Sequence, residues 1–153
     1  MPTTITVVRA MAFPRHIVWE RLADIASHAG WMKEATTIEF TSAQRAGVGT
    51  VAEVPTRIGP FVARDRIEFT AWNEPSDLSV RHSGVISGTG TFMLDEMGPS
   101  LTTVTWQESI GLTLRLGGRL GELIARPIIT RIWERNLRDL ETQIAAVHDI
   151  SPA

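Results

Sequence analysis

The chain has 153 residues and no cysteine, which excludes a disulfide framework, a thiolate nucleophile and a thiolate metal site. Its four histidines, His16, His28, His82 and His148, are scattered rather than spaced as ligands, so neither a metal nor any other cofactor is expected. Long hydrophobic runs are missing too: no segment approaches the roughly 18 apolar residues of a membrane span. Met1 to Arg9 lacks the basic stretch followed by an apolar run that marks a leader, so the expectation is a cytoplasmic protein. Charge of one sign is also scarce. A net charge of -2 and a pI near 6.1 give no global attraction to nucleic acid. Lys33 is the only lysine, a bias that GC-rich codon usage explains more simply than phosphate recognition does.

What is present reads as an ordinary globule: 43% apolar and 21% charged residues rule out disorder and fibrous repeats, and the length suits one domain, residues 1–153. Ile5 to Met11 alternates with period two, as a half-buried strand does, and Phe13-Pro14 ends it. Ile17, Val18, Leu22 and Ile25 have helical spacing, and Gly30 closes that region. Six β-branched and aromatic runs follow: Thr36 to Ser42, Thr50 to Thr56, Phe61 to Trp72, Leu78 to Gly84, Gly88 to Asp95 and Leu101 to Leu114. Gly, Pro, Asn and Asp turn residues separate several of them, so antiparallel hairpins are expected. From Gly117-Gly118 to His148 runs an amphipathic helix with two apolar stripes, Leu120, Ile124, Ile128, Ile132 and Ile129, Trp133, Leu137, Leu140, Ile144, Val147. Pro127 is expected to kink or divide it, leaving Gly117 to Arg126 as a hinged lid. A lone meander must cover its apolar face, and only this helix is large enough to do so. The expected fold is α+β: a seven-stranded curved antiparallel sheet wrapped around a long C-terminal helix, with two short helices after the first strand.

That order of elements, together with Phe13-Pro14, Val18-Trp19, Leu22-Ala23-Asp24 and Trp31, resembles the START-related SRPBCC superfamily with its helix-grip fold. Arg64 to Phe69, Arg81-His82-Ser83-Gly84, Gly88 to Phe92 and the helical segment Ala125 to Leu137 look like its polyketide cyclase/dehydrase-like branch. The resemblance implies a cup that holds a small molecule. It carries no universal catalytic motif, because the superfamily mixes enzymes with binders.

Site residues therefore come from strand phase. The apolar members of each alternation, Ile67 and Phe69, Leu78 and Val80, Phe92 and Leu94, Val104 and Trp106, must face the helix. Asp65, His82 and Glu108 share that phase, and Arg9 lies beside Val7 and Met11. The simplest hairpin closures pair Phe69 with Val80, Val80 with Phe92, and Phe92 with Trp106, and set His82 opposite Gly90 and Gly90 opposite Glu108. Gly84, Gly88 and Gly90 then leave floor space beside one imidazole and two carboxylates; equally, they could be turn or bulge residues around a paired internal network. The candidate catalytic set is His82, Glu108 and Asp65, if the protein is an enzyme. The candidate ligand-binding set is Arg9, Ile67, Phe69, Val80, Gly90, Phe92, Trp106, Ile128 and Trp133.

Three functions compete. The first is binding of a mainly apolar small molecule, lipid-, polyketide- or aromatic-like, between sheet and helix. The second is a cofactor-independent cyclase, aromatase or dehydratase in which His82 and a carboxylate move protons. The third is a protein-interaction module or homodimer with a filled cup. An apolar ligand is the expected partner; nucleic acid is not.

Overall fold

The computed structural model describes residues 3–84, 86–112 and 117–148. Strand β1 (Thr3–Met11) is followed by helix α1 (Arg15–Ala23) and a 3-10 segment (Ile25–Gly30). Strands β2 (Glu39–Phe40), β3 (Val51–Ile58), β4 (Phe61–Asn73), β5 (Asp77–Ser83), β6 (Ile86–Gly98) and β7 (Leu101–Leu112) form the meander, and helix α2 (Gly118–His148) closes the chain. The seven strands make one antiparallel sheet in the order β1-β7-β6-β5-β4-β3-β2. The expected residues Thr113 and Leu114 of the last strand lie outside the described residues.

Alternation sets the core. Ile5, Val7 and Met11 of β1, Ile67 and Phe69 of β4, Leu78 and Val80 of β5, Phe92 and Leu94 of β6, and Val104 and Trp106 of β7 are buried. They meet Val18, Trp19 and Leu22 of α1 and Ile129, Trp133, Leu137, Leu140 and Ile144 of α2. A register shift between Phe69 and Ala71 rephases the end of β4, so that Trp72 packs edge-on against Trp19 and Phe69 at 5.9 and 5.4 Å.

Three expectations are corrected. The run Thr36 to Ser42 pairs over only two residues, Glu39 and Phe40. Pro55 of β3 accepts a hydrogen bond from the Thr36 amide but has no N–H to return, which interrupts the ladder, and pairing resumes beyond it only as an isolated bridge between Ala35 and Thr56. The β5–β6 register differs by two residues: Val80 pairs with Gly90, Leu78 with Phe92 and His82 with Gly88, and β6 begins at Ile86, two residues before the expected start at Gly88. A two-residue slip keeps every side chain on its face, so the inward set is unchanged. Finally, α2 runs through Pro127 without division. Pro127 is exposed, so the carbonyl of Leu123 that it leaves without a donor can turn to water. No helix among the described residues is long and apolar enough to cross a membrane.

Candidate functional site

Between the concave sheet and α2 lies a partly open cavity of about 130 Å³. Its walls are mainly apolar, with Ile67 and Phe69 from β4, Leu78 and Val80 from β5, Phe92 from β6, Trp106 and Ile110 from β7, and Ile129 and Trp133 from α2. An aromatic ladder crosses it: Phe92 stacks on Trp106 with centroids 4.9 Å apart, and Trp106 on Trp133 at 4.6 Å.

One polar group is set into this wall. His82 Nδ1 lies 2.7 Å from Asp65 Oδ2, and His82 Nε2 lies 3.5 Å from Glu108 Oε1. The first contact is a hydrogen bond; the second is too long for a well-formed one and acts as an ion pair. Glu108 is held by its own strand, since the Trp106 indole donates to Oε1 at 2.9 Å. Asp65 and Glu108 are each 7% exposed. Burial alone drives the His82 imidazole toward neutrality, but the Asp65 hydrogen bond and the contacts and charges of Glu108 and Asp65 outweigh it and raise its pKa to about 10. His82 is therefore an imidazolium at neutral pH.

The glycines serve this group rather than open floor. A Cβ on Gly90 would sit 2.8 Å from Glu108 Cγ, and one on Gly88 would meet the Ser109 carbonyl oxygen at 1.8 Å, where Gly88 also has φ +140. Gly90 lets the Glu108 carboxylate lie flat against β6, and Gly88 lets β6 and β7 approach.

Of the residues proposed from sequence, His82, Asp65, Glu108, Ile67, Phe69, Val80, Phe92, Trp106 and Trp133 all line the cavity. Gly90 adjoins it beneath Glu108. Two do not belong to it. Arg9 has the expected inward phase but reaches to α2, where its Nε donates to Glu141 Oε2 at 3.1 Å. Ile128 is 54% exposed, because it stands about 100° around the helix from its buried neighbour Ile129.

Phase reading of the strands could not find three further groups. Glu34 lines the cavity from the loop before β2, and Asn136 Nδ2 of α2 donates to its two carboxylate oxygens at 2.7 and 2.9 Å. Burial raises the Glu34 pKa, as does the charge of Glu108, while the Asn136 hydrogen bond partly offsets this. Asn136 is fully buried, and its place three residues after Trp133 on the apolar face was the available signal. His28, also on the cavity wall, places Nε2 2.7 Å from the Leu22 carbonyl. Burial lowers its pKa to about 4, so it is neutral and Nε2–H donates.

The family model for polyketide cyclase/dehydrase and lipid transport matches residues 2–145. Among solved structures, a protein from Thermus thermophilus superposes with TM-score 0.80 at 18% identity, covering 95% of this chain and 99% of that one. An aromatase/cyclase from a Streptomyces species gives 0.76 at 15% identity, with 100% of both chains covered. A START superfamily protein from Mycobacterium smegmatis gives 0.75 at 11%, covering 94% and 98%. At these identities the likeness is one of fold. No match was found among curated protein sequences. With a helix-grip sheet closed by its last helix and a family match over nearly its whole length, the chain belongs to the polyketide cyclase/dehydrase and lipid-transport family of the START-related SRPBCC superfamily.

Proposed function

We propose that the protein binds a mainly apolar small molecule between the sheet and α2. The observation that carries this is the cavity itself: about 130 Å³, close to the roughly 150 Å³ engineered cavity that takes up benzene, and walled by the Phe92, Trp106 and Trp133 ladder. Space of that size accepts one ring, and the partly open side lets a longer body extend outward. A filled cup, the basis of the interaction-module reading, is not what these walls enclose.

A second reading, cofactor-independent catalysis of the aromatase/cyclase kind, draws on the contact of His82 with Asp65 and Glu108. An imidazole with its pKa raised to about 10 cannot serve as a general base at neutral pH, and as an acid it is poorly matched to its task. That favours binding.

Two measurements test the proposal. Native mass spectrometry of freshly purified protein should find a co-purified small molecule. Titration with toluene should change the fluorescence of Trp106 and Trp133, and the response should shrink in Trp106→Phe and Trp133→Phe. An unchanged spectrum at saturating toluene, with no co-purified molecule, refutes the reading.

A further inference from the structure

The cavity wall is unbalanced in charge. Among its described lining residues are three carboxylates, Glu34, Asp65 and Glu108, no lysine and no arginine. The one cation among them, His82, is already shared between Asp65 and Glu108. Glu34 makes no salt bridge among the described residues: the Asn136 amide donates to it as a neutral group, and the charge of Arg135 of α2 acts on it only at longer range. Asp65 Oδ1 is buried with no hydrogen-bond donor among the described residues. The wall thus sets three carboxylates against the one imidazolium of His82, whose Nε2 makes only the long contact to Glu108, and leaves Asp65 Oδ1 without a donor. Burying such groups is costly unless something supplies the missing donors.

We infer that the apolar molecule bound here carries a protonated amine, seated against Glu34 and Glu108; this rests on the binding reading given above. An ammonium group has three donors and no acceptor, which complements this wall. Its apolar body would lie along the aromatic ladder, whose ring faces also attract cations. The partly open cavity leaves the ammonium some of its water, which limits the desolvation cost. A ligand with a carboxylate or phosphate head would instead face three like charges, with only the His82 imidazolium to meet it. The charge of Glu108 contributes to raising the Glu34 pKa, and a cation seated against both carboxylates opposes that effect.

The test uses four probes with one ring each: toluene, benzyl alcohol, benzylamine and benzoate, titrated against tryptophan fluorescence near pH 7. Charge-assisted hydrogen bonds predict that benzylamine binds about tenfold to a hundredfold more tightly than benzyl alcohol. Benzoate should bind more weakly than either. Glu34→Gln keeps the size and the acceptor for Asn136 but removes the charge. It should bring benzylamine to within about threefold of benzyl alcohol, and a cooperative urea-unfolding transition reports that the variant is folded. In the wild type, benzylamine affinity should fall as pH drops through the raised Glu34 titration, and toluene affinity should not. If benzyl alcohol or benzoate matches benzylamine, the amine inference fails and the binding reading stands. If no probe binds, toluene included, both fail.

Discussion

His28 is buried and His82 nearly so, yet they are driven in opposite directions. Around His28 only the Leu22 carbonyl and the charge of Asp24 oppose desolvation, and the pKa drops to about 4. Around His82, two carboxylates overturn the same penalty and lift it to about 10. Removing the imidazole leaves Asp65 and Glu108 facing one another without compensation, so His82→Ala should lower unfolding stability by roughly 3–5 kcal/mol. The pH dependence has a definite sign. A group whose pKa is raised on folding stabilises fully below its unfolded value and loses that contribution as pH rises through the folded one. For His82 the window runs from the ordinary 6.5 to about 10. Urea unfolding from pH 6 to pH 10 should therefore show the wild type losing its advantage over His82→Gln as pH climbs. A constant difference would mean that the imidazole is not held charged.

Helix α2 inverts its expected polarity along part of its length. Glu122 and Asn136 are buried, whereas Leu120, Ile124 and Ile128 are exposed. Sequence periodicity gives two apolar stripes but not which one meets the sheet, because that azimuth is set by tertiary contacts such as Thr3 Oγ1 donating to Glu122 Oε2 and Asn136 to Glu34. The strands were more legible: between bulges period two fixes the face of each residue, so His82, Asp65 and Glu108 could be placed inward from phase alone. Register was less so, since the two-residue slip at β5–β6 changes which side chains are opposite without changing which face they occupy. Loop residues such as Glu34 carry no period, and nothing local marks them. The helix azimuth has a direct consequence at two adjacent positions. Ile128→Ser should alter stability by no more than about 0.5 kcal/mol. Ile129→Ala should cost about 2 kcal/mol or more, because it strips a buried wall. Chemical denaturation of both variants checks this, and equal costs would contradict the helix orientation.

The molecule as a whole leaves its core incomplete at the place where sheet and helix are most aromatic. A void forfeits stability in proportion to its volume, and at about 24 cal/mol per Å³ a cavity of about 130 Å³ corresponds to roughly 3 kcal/mol, less whatever water recovers beside Glu34 and Glu108. Selection for stability alone would close it, and a single substitution can do so. Ala35 is buried on the cavity wall, held at the edge of the sheet by a bridge to Thr56, so a larger apolar side chain there projects into unoccupied space. Ala35→Leu should recover part of the deficit, about 1–2 kcal/mol, which for a chain of this length raises Tm by roughly 2–8 °C. Toluene should raise the Tm of the wild type by mass action and leave that of Ala35→Leu unmoved, since ligand and side chain compete for one volume. The two measurements are linked: a variant that is more stable but still shifted by toluene would place the bound ring elsewhere. A variant that is less stable would show that this wall is already packed to capacity.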